Sequence, residues 1–187
     1  MSKYILQFPN QIKPLEDNEQ WLDAVTLLYD QWKKDPMDEH NLVCLAMEAW
    51  YARVDLEYWE LHPSRPLKSE AVQRKIHTIL CEASEVGFKY HSEGVLFNMY
   101  IGYAADIRPL YFEDFIDLSK WGDTGMAMIH KAFLLDNTDS LTRLFYYASI
   151  NRSSKEYTTE SREFWAKMPL AKWGNTAVPR YFFSMFS

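Results

Sequence analysis

The chain has 187 residues, of which 48% are apolar, 16% aromatic and 25% charged, enough to bury a substantial core in a single domain spanning 1–187. Its formal charge of −6 argues against a nucleic-acid binder, which needs a basic face. No apolar run approaches the roughly 20 residues of a membrane span, and Met1 to Pro9 hold no apolar core fit for a secretory signal, so no membrane contact and a cytoplasmic location are expected.

Residues 3–8 read as a short extended segment that stops at Pro9. A helix is expected over 18–34, capped by Asp17 or Asn18, with Trp21, Leu22, Val25, Leu28, Tyr29 and Trp32 recurring at helical steps. Lys33 and Lys34 close it at the end its dipole favours. A second helix follows at once, with Asp35 as N-cap, Pro36 in the first position, and Asp38 and Glu39 in the first turn. Its apolar set (Leu42, Val43, Leu45, Ala46, Met47, Ala49, Trp50, Val54) is too wide for a surface helix, so much of its circumference should be buried. His62 to Pro66, with two prolines, reads as a loop.

Further helices are expected over 69–86, ending at Gly87, and over 92–105, opening at Ser92 and Glu93. A short one is expected over 111–119, then others over 124–135 and 139–150. In the 124–135 helix the inward set is Met126, Ile129, Phe133 and Leu134. Residues 152–157 read as a polar linker, followed by helices over 159–168 and 178–186. With strand signals nearly absent after residue 8, the fold class is all-α, and short loops suggest antiparallel helix pairs stacked as a short irregular α-solenoid.

Catalytic and cofactor motifs are missing. The 6 glycines form no phosphate-binding loop, and there is no nucleophile elbow, no paired Cys-x-x-Cys and no acidic calcium loop, so neither an enzyme nor a bound cofactor is expected. His40, Cys44 and Glu48 share one face at four-residue spacing, but a fourth ligand would have to come from elsewhere, and Cys44 sits between apolar stripes. No metal is expected there. Cys44 and Cys81 read as reduced core thiols. His77, His91 and His130 fall on separate helices, with no acid or nucleophile at a telling spacing.

Two segments mix acids with rings. One holds Asp55, Glu57, Tyr58, Trp59 and Glu60, and the other Glu113, Asp114 and Asp117 beside Tyr111, Phe112 and Phe115. Rings supply contact area and acids supply complementary charge, so these eight residues are candidates for gripping a basic protein partner. The competing reading is that the rings are core and the acids a solvated face.

Met126-x-x-Ile129-x-Lys131-Ala132-Phe133-x-Leu135-Asp136-Asn137 resembles the second helix of a tetratricopeptide repeat, although no 34-residue period is kept. More broadly, the chain resembles the small helical immunity proteins encoded beside toxin domains in bacterial contact-dependent inhibition and polymorphic toxin systems. The residues that carry this are Tyr4-Ile5-Leu6-Gln7-Phe8-Pro9, Trp21-Leu22, Leu28-Tyr29-x-x-Trp32-Lys33-Lys34-Asp35-Pro36, Glu48-Ala49-Trp50-Tyr51, Lys131-Ala132 and Tyr181-Phe182. The resemblance implies a cytoplasmic antidote that binds one cognate toxin domain and blocks it. Many such toxins are basic nucleases, which agrees with the acidic balance. A helical-repeat adaptor that holds a peptide in its groove is the alternative.

Overall fold

A computed structural model describes residues 2–60, 70–117, 119, 121–168 and 173–186; the loop expected at 62–66 lies outside them. Among the described residues every regular element is helical. In chain order they are α1 (Ile12–Asp17), α2 (Trp21–Trp32), α3 (Glu39–Glu60), α4 (Glu70–Tyr90) and α5 (Val95–Ile107). A 3-10 turn (Pro109–Phe112) comes next, then α6 (Trp121–Leu135), α7 (Ser140–Ile150), α8 (Lys155–Lys167) and α9 (Ala177–Phe186). No helix is long and apolar enough to cross a membrane, among the described residues.

Two helices lie at the centre. Every residue from Leu42 to Trp50 on α3 and from Leu96 to Ala105 on α5 is buried, as the wide apolar surface of α3 anticipates. Such helices need neighbours on all sides. Helix α3 packs against α2, α4, α5 and α9, and α5 packs against α3, α6 and the 3-10 turn. The α5–α6 crossing is the tightest. A Cβ at Gly102 would press on the carbonyl of Gly125, and one at Gly125 on the carbonyl of Gly102, so both backbones need glycine to approach this closely.

Several boundaries differ from those read in the sequence, each for a local reason. Ile12–Asp17 forms a separate helix, and Glu19, at φ 57, turns the chain into α2, so neither Asp17 nor Asn18 caps α2. Asp35 accepts from the Met37 amide in a turn, and Asp38 caps α3 by accepting from Asn41. Helix α4 runs straight through Gly87. That residue is buried against Phe97, whose ring a Cβ would strike, so it serves close packing rather than termination. Glu39 reaches across from α3 to accept from the Phe97 amide in the first turn of α5, where a carboxylate also suits the dipole. The expected helix over 111–119 is a 3-10 turn opened by Pro109. Ser154 caps α8 by accepting from Tyr157, so the second half of the expected polar linker is helix.

On α6, Ile129 and Ala132 face the core, whereas Met126 and Leu134 are exposed, at 41% and 65%. The expected inward set of this helix is therefore half wrong. The α5–α6 glycine contact turns the Gly125 edge of the helix inward and leaves Met126 outside.

The amino-terminal segment carries neither helix nor strand over residues 5–9. It lies against the α6–α7 connection: Ser2 donates to Asp139 (2.8 Å), Tyr4 donates to Asp136 (3.0 Å), and Lys3 pairs with Asp136 (3.1 Å). Helix α9 packs Phe182 and Phe186 against Tyr100, Tyr103 and Phe145, with ring centroids 4.9–6.2 Å apart. Edge-on pairs of this kind add about 0.5–1.5 kcal/mol each beyond burial.

Candidate partner interface

Both acid-and-ring segments meet on one side of the molecule. From α3, the Arg53 guanidinium lies over the Tyr111 ring at 5.1 Å and donates to the Gln73 carbonyl of α4 at 3.4 Å. Glu57, one turn on, pairs with Arg53 (3.4 Å) and with Arg108 (4.0 Å). The His77 ring of α4 lies 6.4 Å from Tyr111. Burial pushes the Tyr111 hydroxyl pKa up, and the neighbouring Glu57 carboxylate pushes it further.

Pro109 starts the 3-10 turn and sets the loop's exit from α5. Tyr111 and Phe112 are buried, and Phe115 stacks on Phe88 at 5.6 Å with the planes 11° apart. The loop is thus pinned by its rings, while Glu113 and Asp114 remain exposed. Leu110 is exposed at 65% on the same turn.

The expected residues fare unevenly. Glu57, Glu113 and Asp114 come together around Arg53, Tyr111 and His77. Asp55 is half-buried, with Tyr51 close enough to feel its charge. Asp117 is exposed and accepts from the amide and hydroxyl of Ser119. The side chains of Tyr58, Trp59 and Glu60 lie outside the described part of the structure. Glu57 is held by two arginines and so braces the site internally. Sequence reading missed Leu110, Arg53 and Arg108. The local signal for Leu110 is an apolar residue directly after Pro109 in a loop.

It also missed a pair on α4. Cys81 stands one turn after His77, and its sulfur lies 3.6 Å from the imidazole Nε2, contrary to the expectation that His77 has no nucleophile at a telling spacing. Burial raises the Cys81 thiol, with Glu113 and Asp114 acting in the same direction. Burial, then Arg53, lowers the His77 imidazole. These shifts favour a neutral thiol beside a neutral ring, the opposite of an activated thiolate. His77 Nδ1 is buried without a hydrogen-bond partner.

On α3 the four-residue series disperses. His40 accepts from the Gln7 amide at 3.2 Å, Cys44 donates to the Gln7 carbonyl at 3.7 Å, and Glu48 turns to Glu16. Among the described residues, no group of three or more potential metal ligands converges. Glu16 accepts from the first amide of α9, at Ala177, with both oxygens at 2.8 Å, and Arg180 stands 3.9 Å away. Glu48 is fully buried, and neither of its oxygens accepts a hydrogen bond. Burial first, then the negative Glu16, lifts its carboxyl well above the usual range, which favours the neutral acid beside Glu16.

No family model matches the chain, and no curated protein or solved structure does either. The site therefore rests on its own geometry. Beside the acidic loop, across Phe88, runs a groove of about 450 Å³ between α4, α5 and α6, walled by Phe88, Phe97, Ala127 and Met128. Asp123 stands exposed at its edge, and Lys131, which also lines it, is paired with Glu93 at 2.6 Å.

Proposed function

We propose that this chain is an immunity-type protein that binds a basic toxin domain in the cytoplasm and blocks it without performing chemistry of its own. The observation that carries the reading is the loop at 109–117. It presents Glu113, Asp114 and Leu110 to solvent from a turn fixed by Arg53, Tyr111 and the Phe88–Phe115 stack. An exposed apolar side chain near exposed acids on a rigid base has the makeup of an interface anchor. The acids raise the rate at which a basic partner arrives, and the pre-formed turn lowers the entropy cost of binding.

The packing of consecutive helices, α2 on α3, α3 on α4, α5 on α6, α6 on α7 and α7 on α8, supports a short irregular α-solenoid of paired helices. The apolar groove between α4, α5 and α6 favours a second reading, an adaptor that seats an apolar side chain of a peptide with basic flanks beside Asp123.

The test is growth of cells that express the toxin domain encoded beside this chain, together with binding rates at two salt concentrations. Glu113→Lys with Asp114→Lys should slow association severalfold and weaken protection while leaving the melting temperature unchanged. Wild-type association should slow as salt rises, because screening shortens the reach of surface charge. Equal protection and equal rates in the double variant would remove the loop from the interface. If no toxin is neutralised, the adaptor reading replaces this one.

A further inference from the structure

A smaller cleft, of about 200 Å³, opens between α5, α6 and α7. It is below the roughly 300–1,000 Å³ of sites that take drug-sized ligands, so its occupant would be small. Its floor is Ile129 and Phe145, and its polar lining is Tyr103, Asp106, Ser149 and Arg152.

Asp106 is badly placed for stability. It is half-buried, and it sits one residue before the end of α5, where the helix dipole disfavours an anion. Among the described residues nothing donates to its carboxylate, and burial alone pushes its pKa up. The α6 backbone is brought onto it at Gly125, where a Cβ would strike the Asp106 backbone nitrogen and Cβ. An uncompensated charge in a cleft shaped by a glycine contact breaks the local rules of stability, as binding sites do.

Arg152 supplies the opposite charge. Its guanidinium is exposed; it hydrogen-bonds the Tyr103 hydroxyl, lies 5.9 Å from the Phe186 ring and donates to the Met185 carbonyl at 3.5 Å, and these contacts do not use all of its five N–H groups. Arg152 and Asp106 line one cleft without pairing with each other. The Tyr103 hydroxyl is engaged by Tyr181 and Arg152, whereas the Ser149 hydroxyl donates to the Tyr146 carbonyl and keeps lone pairs for a further donor.

An amine alone would meet Arg152, and an anion alone would meet Asp106. A ligand that carries both charges satisfies both groups at once. We propose that this cleft binds a small zwitterion, a free amino acid or a similar amino-carboxylate, with its ammonium on Asp106 and its carboxylate on Arg152. The site lies on other residues than the acidic loop and does not depend on the immunity reading.

The experiment is calorimetric titration of the full chain with each of the twenty standard amino acids, and with methylamine and acetate as half-ligands. At least one amino acid should bind one-to-one, far more tightly than either half. Asp106→Asn and Arg152→Gln should each weaken it by about thirtyfold or more, the loss expected when one member of a charge pair is removed. Unliganded Asp106→Asn should melt at or above the wild-type temperature, which also reports that the variant folds. The proposal is overturned if no amino acid binds, if methylamine or acetate binds as tightly as the best amino acid, or if Asp106→Asn binds undiminished. A lowered melting temperature for that variant would make Asp106 a structural residue and overturn it too.

Discussion

At the scale of single residues, Glu48 sets a pH dependence. Its carboxyl is raised in the folded protein, so between about pH 4.5 and its folded value the native state holds a proton that the unfolded chain has released. Stability from this group is complete below about pH 4.5 and declines as pH rises, by up to about 1.4 kcal/mol per unit. Glu16 is raised as well, by burial acting against the Ala177 amide and Arg180, and titrates in the same direction. Glu48→Gln keeps a donor for Glu16 and has no proton to lose. Chemical denaturation at pH 5 and pH 8 should show the variant gaining on wild type at the higher pH; a gap that is the same at both would rule the shared proton out. Little of this was legible beforehand. The spacing of His40, Cys44 and Glu48 showed a common face on α3, but the partner that gives Glu48 its meaning comes from α1, which periodicity missed because it is a single short helix ending in a turn at positive φ.

Elements were easier to read where a segment carried its own signals. The apolar steps of α2, α3 and α7, and the breadth of α3, come from local pattern, and the buried residues follow it. Reading failed where tertiary contact overrode local chemistry. Gly87 looked like a terminator, yet Phe97 packs where its side chain would be, and α4 continues for three residues. Gly87→Ala should therefore destabilise the protein, by about 1–3 kcal/mol as overpacked cores do, although alanine is the better helix former. A variant more stable than wild type in denaturant titration would mean that the ring yields freely. Similarly, the outward turn of Met126 and Leu134 follows from the glycine contact between α5 and α6, which no pattern within α6 encodes.

For the whole molecule, the two acid-and-ring segments were visible as composition, and their meeting was not. It depends on Arg53 bridging α3 to the 3-10 turn, a contact between residues far apart in sequence. The same is true of the closure that holds the two ends of the described chain. Glu16 takes its hydrogen bonds from Ala177, 161 residues later, and α9 fills the space beside Tyr100, Tyr103 and Phe145. On a ribosome that adds about 5–20 residues per second, Glu16 waits roughly 8–30 s for that amide to be made. Throughout that interval the nascent chain has its central rings open and its glutamate pair unsealed. A chain truncated after Met168 should accordingly stay expanded, being digested by protease far faster than the full chain and binding a hydrophobic dye. Equal protease resistance would mean that the fold forms without α9. The vectorial order of synthesis thus gives this fold a late commitment step: α1 to α8 are made before the lock that α9 carries.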